Sequence, residues 1–356
     1  MLIRARAVAV SGALLAAFAL AVPAGTAAQD KKKEQKLDKD QQREVQTVVK
    51  IVDEVVAGQP APTDFPITFQ YHFQKARDQR TFMPVTMVFP QDRITNTSVV
   101  YYVRVVPRGG AATAPEGNGE KDAKQDEKKG RPEYPFEDVR FFDLKAPENG
   151  QYRVTRAISV PPGEFDLYVL MGERTPKDKK AEAPKRSLVK QAVTVPDFWA
   201  NELMTSSIIL SNKAEQLSAP PSEADMAANP YVFGLTRLTP SLDHKFSKKD
   251  ELSIIFLIYN TAAAQGGKPD VKVEYNFHQK QAGGGEKFFN RTEPQNFNAQ
   301  TLPPQFDAAA GHQLVGGLSI PLASFPEGDY RLEIKITDVA GNNKTKTENV
   351  DLSIAP

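Results

Sequence analysis

Cysteine is absent from the 356-residue chain. That removes thiolate nucleophiles, CxxC redox pairs and Cys-ligated zinc or iron-sulfur clusters from its chemistry. It also excludes an acylated-cysteine anchor and leaves the fold resting on burial alone, as two domains of about 150 residues can manage. Net charge is nearly absent as well: 45 Lys plus Arg face 44 Asp plus Glu. No global field therefore draws nucleic acid or repels a membrane, and partner choice must be local. Histidine is sparse; His72, His244, His278 and His312 form neither HExxH nor HxH. GGLSIPL lacks the second glycine of a nucleophile elbow, and the GGG at 283–285 has neither the lysine nor the helix of a phosphate loop. No carboxylate pair stands out for glycoside hydrolysis. The expectation is a chain with no catalytic constellation and no cofactor.

What is present begins with an address. Arg4 and Arg6 precede AVAVSGALLAAFALAV, which ends at Pro23 and leads into the small residues of GTAAQD. This predicts a signal peptide over residues 1–28, cleaved after Ala28, and a secreted or periplasmic protein with no membrane span afterwards. A retained anchor is the competing reading of so long an apolar run. Residues 29–44 are dense in charge and read as a solvated leader. Val45, Val48, Val49, Val52 and Val56 then follow the spacing of one helical face, with Gly58 and Pro60 where a helix should stop. The stripe is expected to pack on the first domain.

From Pro66 the period changes to two. PITFQYHF places Ile67, Phe69, Tyr71 and Phe73 on one side of a strand, and TFMPVTMVF, TSVVYYVRVV, VRFFDL, QYRVTRAISV, EFDLYVLM and SLVKQAVTV continue the pattern. A residue 108–135 segment rich in Gly, Ala and mixed charge is expected to be a disordered hairpin insertion, which costs little closure entropy. After VPDFWANE a second series of about eight strands starts. The predicted organisation is all-β: helix plus first sandwich at 45–197 and second sandwich at 198–356, both antiparallel, with one short N-terminal helix.

One phrase occurs twice. PPGEFDLYVLMGE at 161–173 matches PEGDYRLEIKITD at 326–338 when Gly163 is laid on Gly328. Phe165 then meets Tyr330, Leu167 meets Leu332, and Val169 meets Ile334. The glycine permits a positive-φ turn and every second residue after it forms a buried face, so each copy is expected to be the penultimate strand of its own sandwich. Tyr168 and Leu170 on the opposite face suggest that the first copy is covered on both sides, with the valine helix as candidate cover. GDYRLEIKITDVAGNNKTK resembles the closing hairpin of bacterial immunoglobulin-like and fibronectin-type modules. DELSIIFLIYN, GHQLVGGLSIPLASFPEGDYRLEIKITD and GQPAPTDFPITFQYHF resemble uncharacterised exported bacterial proteins, some of which join such a sandwich to a GWxTD-type domain; no GWxTD segment is present here. The resemblance implies secretion and a β-sandwich and supplies no catalytic residues.

The adjacent aromatics Tyr101 and Tyr102, Phe141 and Phe142, and Phe288 and Phe289 are the candidate binding surface, because alternation sends one member of each pair outward. Outward rings suit sugar stacking or a protein interface; packing beneath a helix, a loop or the other domain accounts for the same residues. Trp199 is expected to wedge the two sandwiches together. Calcium near Asp338, Asn342 and Asn343 is the one cofactor alternative, with Asx-type turn bonds explaining the same residues. The functional expectation is a non-enzymatic exported module that binds another cell-envelope protein through an edge strand, with a polysaccharide-binding module or polysaccharide-acting enzyme as the alternative.

Overall fold

Side chains that alternate between core and surface build strands in the computed structural model, which describes residues 6–7, 37–109, 132–178, 180–222, 226, 229–264, 266–308 and 310–356. Apart from Arg6–Ala7, the predicted signal segment lies outside the described residues, as do residues 110–131 of the predicted insertion. No helix among the described residues is long and apolar enough to cross a membrane.

In chain order, β1 (Arg6–Ala7) and α1 (Lys39–Val56) precede a first set of strands: β2 (Thr68–Tyr71), β3 (Gln74–Lys75), β4 (Thr81–Pro90), β5 (Ser98–Pro107), β6 (Phe136–Asp143), β7 (Gln151–Val160), β8 (Gly163–Glu173) and β9 (Arg186–Val195). The second set is β10 (Met204–Thr205), β11 (Ile209–Ser211), β12 (Lys213–Gln216), β13 (Val232–Phe233), β14 (Thr236–Thr239), β15 (Lys245–Ser247), β16 (Glu251–Tyr259), β17 (Val271–Lys280), β18 (Glu286–Arg291), β19 (Gln295–Phe297), β20 (Leu314–Pro321), β21 (Gly328–Asp338) and β22 (Lys344–Ala355).

In the first set β4 is flanked by β7 on one side and by β2 and β3 on the other, facing a four-stranded sheet of order β6-β5-β8-β9. In the second, β16 is flanked by β20 and by β10 with β11, facing a sheet of order β15-β22-β21-β17-β18. The two sets therefore repeat one layout: an interrupted first strand, a three-strand sheet and a larger opposing sheet, as in immunoglobulin-like sandwiches. Met83, Val103, Leu167 and Val193 lie in the first core, and Phe256, Tyr275, Leu332 and Ile354 in the second. β12, β14 and β13 form a small separate sheet.

The twice-written phrase becomes β8 and β21, each hydrogen-bonded along its length to the strand that follows it. Gly163 and Gly328 enter at φ 141° and 137°, a backbone conformation that side chains other than hydrogen rarely adopt.

The helix begins earlier than its valines suggest. Asp38 Oδ1 accepts from the Gln41 amide at 2.7 Å while Gln41 Oε1 accepts from the Asp38 amide at 3.0 Å, a capping box that starts α1 at Lys39. Residues 39–44 of the expected leader are thus helical. Glu44 is buried because its carboxylate meets Arg186 at 2.7 Å. The buried face is Glu44, Val48, Val52 and Val55, with Val56 at 39% exposure, so the stripe is rotated from the expected one. The helix covers Val100, Tyr102, Tyr168, Leu170 and Leu188 on the outer face of the β6-β5-β8-β9 sheet. Burying each valine there contributes roughly 1.5–3 kcal/mol, more than an isolated helix of this length could supply for itself.

Candidate binding edge and adjoining pocket

β20 reads LVGGLSIP and has no charged side chain. Leu314, Leu318 and Ile320 enter the second core. Both glycines are dictated by packing: a Cβ on Gly316 would lie 2.5 Å from the Phe256 ring, and one on Gly317 would lie 2.4 Å from the Ile254 carbonyl oxygen. Soluble sheets usually blunt an outer strand with lysine, a bulge or an inward charge. β6, β7, β9 and β18 carry such charges; β10 with β11 has none, and β2 with β3 has only Lys75. Those last two edges face each other at the sandwich junction, where the Ser207 amide donates to the Phe73 carbonyl at 2.9 Å and the Phe73 amide to Ser207 Oγ at 2.8 Å. β20 has a different outer neighbour. It pairs antiparallel with β1, Arg6 opposite Ser319 and Ala7 opposite Leu318.

The beginning of β20 opens on a pocket of about 530 Å³ lined by Lys75, Arg77, Trp199, Asn260, His312 and Leu314 among others. That volume is within the range of small-molecule and side-chain sites. Lys75 Nζ donates to Asn260 Oδ1 at 2.9 Å and stands 4.3 Å above the Trp199 ring. Burial lowers the Lys75 ammonium from its usual pKa, opposed by Asp197. Asn260 is held at φ 59° and its amide donates to the carbonyls of Phe198, Ala200 and Glu202, fixing the turn that carries Trp199. His312 Nδ1 accepts from the Asp307 amide at 3.0 Å. Neither Lys75 nor Arg77 makes an ion pair among the described residues.

The aromatic pairs are placed differently from expectation. Tyr101 is buried in the first core and Tyr102 beneath α1, each 1% exposed, because the sheet that bears them is covered on both faces. Phe141 packs against the helix layer and Phe142 against the core, with guanidinium groups of Arg174 and Arg156 over their rings. Phe289 packs on Phe325 and Tyr330, which leaves Phe288, 53% exposed, as the outward member of the six. Trp199 lies at the junction but is 44% exposed; the wedge is its neighbour Phe198, 1% exposed and edge-on to Tyr259. Asp338 is buried and its carboxylate accepts from the amides of Ala262 and Gly341, while Asn342 and Asn343 take left-handed turn conformations. Among the described residues no group of three His, Asp or Glu is placed to hold a metal ion.

Trp199 stands out in the sequence but the pocket does not, because Lys75, Trp199, Asn260 and His312 come from four separated segments. The one available signal for the edge was a strand without charge following a glycine-bearing loop.

No family model and no curated protein matches the chain. Among solved structures it is similar to E. coli alpha-2-macroglobulin in its native conformation, at 10% identity and TM-score 0.20, over 84% of this chain and 15% of that one. It is also similar to red sea bream transglutaminase, at 8% identity and TM-score 0.20, over 90% of this chain and 34% of that one. The chain spans well under two thirds of either, and likeness at this level bears on no function.

Proposed function

We propose that this protein is an exported, non-enzymatic binding module that takes an extended segment of another cell-envelope protein onto the outer edge of β20. The observation that carries the reading is the antiparallel pairing of Arg6–Ala7 with Leu318 and Ser319. That pairing supports strand addition at this edge, the mode in which main-chain hydrogen bonds supply affinity. Arg6 and Ala7 belong to the predicted signal peptide, so cleavage after Ala28 vacates the position. LVGGLSIP carries none of the charges that usually guard an edge, and an entering strand would take over the Gly317 amide, which now donates to Gln295 Oε1 at 3.1 Å.

A photo-crosslinking amino acid placed at the exposed Pro321, in the full chain expressed in its native envelope, tests this. One defined protein should be captured at position 321 and none at the equally exposed Thr347 on the opposite sheet, and Ser319→Lys should suppress the adduct. Equal yields at 321 and 347 would overturn the reading.

A further inference from the structure

We infer that the pocket at the start of β20 receives the free carboxy terminus of the added strand, so that the partner is bound by its last residues. The inference rests on the strand-addition reading above. Antiparallel pairing fixes direction: β20 runs from Leu314 to Pro321, and a strand in the register of Arg6–Ala7 runs the other way, toward Leu314. Four residues beyond the one opposite Leu318 bring the added chain level with Leu314, about 13 Å further along at about 3.3 Å per residue. Leu314 is itself a wall of the pocket. Once an entering strand displaces Gln295 Oε1 from the Gly317 amide, the ladder leads its chain end to a cavity rather than to open solvent.

The cavity suits a carboxylate there. Lys75 and Arg77 present two cations with no carboxylate partner among the described residues. Lys75 is held in place by Asn260 and by the Trp199 ring, with Asp197 as an opposing charge. Partial burial strengthens its attraction for an incoming anion relative to water. The half-exposed Trp199 face and Phe306 supply apolar wall for the last side chain. The ligand class is therefore a peptide with a free α-carboxylate and an apolar or aromatic final residue. Capture of terminal carboxylates beside a strand-accepting edge is a physically recurrent combination.

The probe is a pool of random octapeptides biotinylated at the amino end, made once as free acids and once as carboxamides. It is offered to the full chain carrying Arg6→Pro, which removes the resident strand's ladder donor opposite Ser319. Retained free acids should outnumber retained amides at least tenfold and favour apolar last residues. Because Trp199 is the sole tryptophan, the selected peptides should also shift its emission. The acid preference should vanish in Lys75→Gln with Arg77→Gln, a pair outside the β20 edge, whereas Ser319→Lys should weaken acids and amides alike. Acids and amides retained equally, with Ser319→Lys still abolishing both, would overturn the pocket inference and leave strand addition standing. Retention of neither form would overturn both.

Discussion

His72 Nδ1 lies 2.8 Å from the Tyr231 hydroxyl across the sandwich junction, the two rings meeting edge-on with centroids 5.3 Å apart. His72 is 5% exposed, and burial, with His244 as a nearby like charge, pushes its imidazole down to about 3. The folded chain keeps this ring neutral at pH values where the unfolded chain protonates it, below about 6.5. The unfolded state then binds more protons, so this group's contribution is whole above pH 6.5 and is lost as pH falls from there toward 3, by up to about 1.4 kcal/mol per pH unit. Urea melts at pH 7.5, 6.0 and 5.0 should show the loss. His72→Gln should flatten the slope by up to one proton, and an unaltered slope would contradict the assignment.

Tyr330 donates its hydroxyl to the Pro326 carbonyl at 2.7 Å, pinning the turn that feeds β21. This is the tyrosine corner of immunoglobulin-like sandwiches. Its first-sandwich counterpart, Phe165, has no hydroxyl and packs only through its ring. Tyr330→Phe should therefore destabilise the chain by about 1 kcal/mol, the net value of one such bond. Phe165→Leu, by contrast, should act through lost packing. Denaturation of the two variants followed by hydrogen exchange would assign each loss to its own sandwich.

The strands were legible because alternation survives any partner: Phe165, Leu167, Val169 and Met171 turn inward as their spacing demands. The repeat was legible for the same reason. Tyr101 and Tyr102 misled because alternation tells which face a residue occupies, not what lies on that face, and α1 covers the second one. Glu44 looked solvated because its partner Arg186 is 142 residues away. The edge at β20 and its pocket depend on what is not paired, and on segments from residue 75 to 314 converging, neither of which a local pattern records.

Gly317 faces the Ile254 carbonyl so closely that a methyl group would sit 2.4 Å from the oxygen. Backbone cannot swing aside as a side-chain end can, because Ile254 is paired with Leu318 in the same sheet. Gly317→Ala should destabilise the second sandwich by about 1–3 kcal/mol through overpacking and should splay β20 from β16. Gly316→Ala meets the Phe256 ring instead and should cost less where that ring can tilt. Thermal melts rank the two; the reverse order would refute the backbone argument.

Arg104 joins three elements at once. Its side chain is fully buried on β5, yet its guanidinium reaches Asp53 on α1 at 2.6 Å and Glu137 on β6 at 3.0 Å, and its Nε donates to the Tyr102 hydroxyl at 2.8 Å. The Tyr134 ring closes over it at 4.6 Å. A cation so desolvated is tolerated only while its acceptors stay in place, and removing one partner of such a group is typically destabilising by about 3 kcal/mol or more. Arg104→Met preserves volume while leaving Asp53 and Glu137, both with solvent access, to rehydrate; the expected loss is therefore smaller, about 1–2 kcal/mol. Asp53→Ala removes a pole from the other side and leaves the buried cation with Glu137, the Tyr102 hydroxyl and the Tyr134 ring. If the cluster clamps the helix, both variants should raise hydrogen exchange across Lys39–Val56 well before the β8–β9 ladder is affected. Uniform exchange across helix and ladder would mean that the arginine stabilises the sandwich as a whole and not the seating of α1.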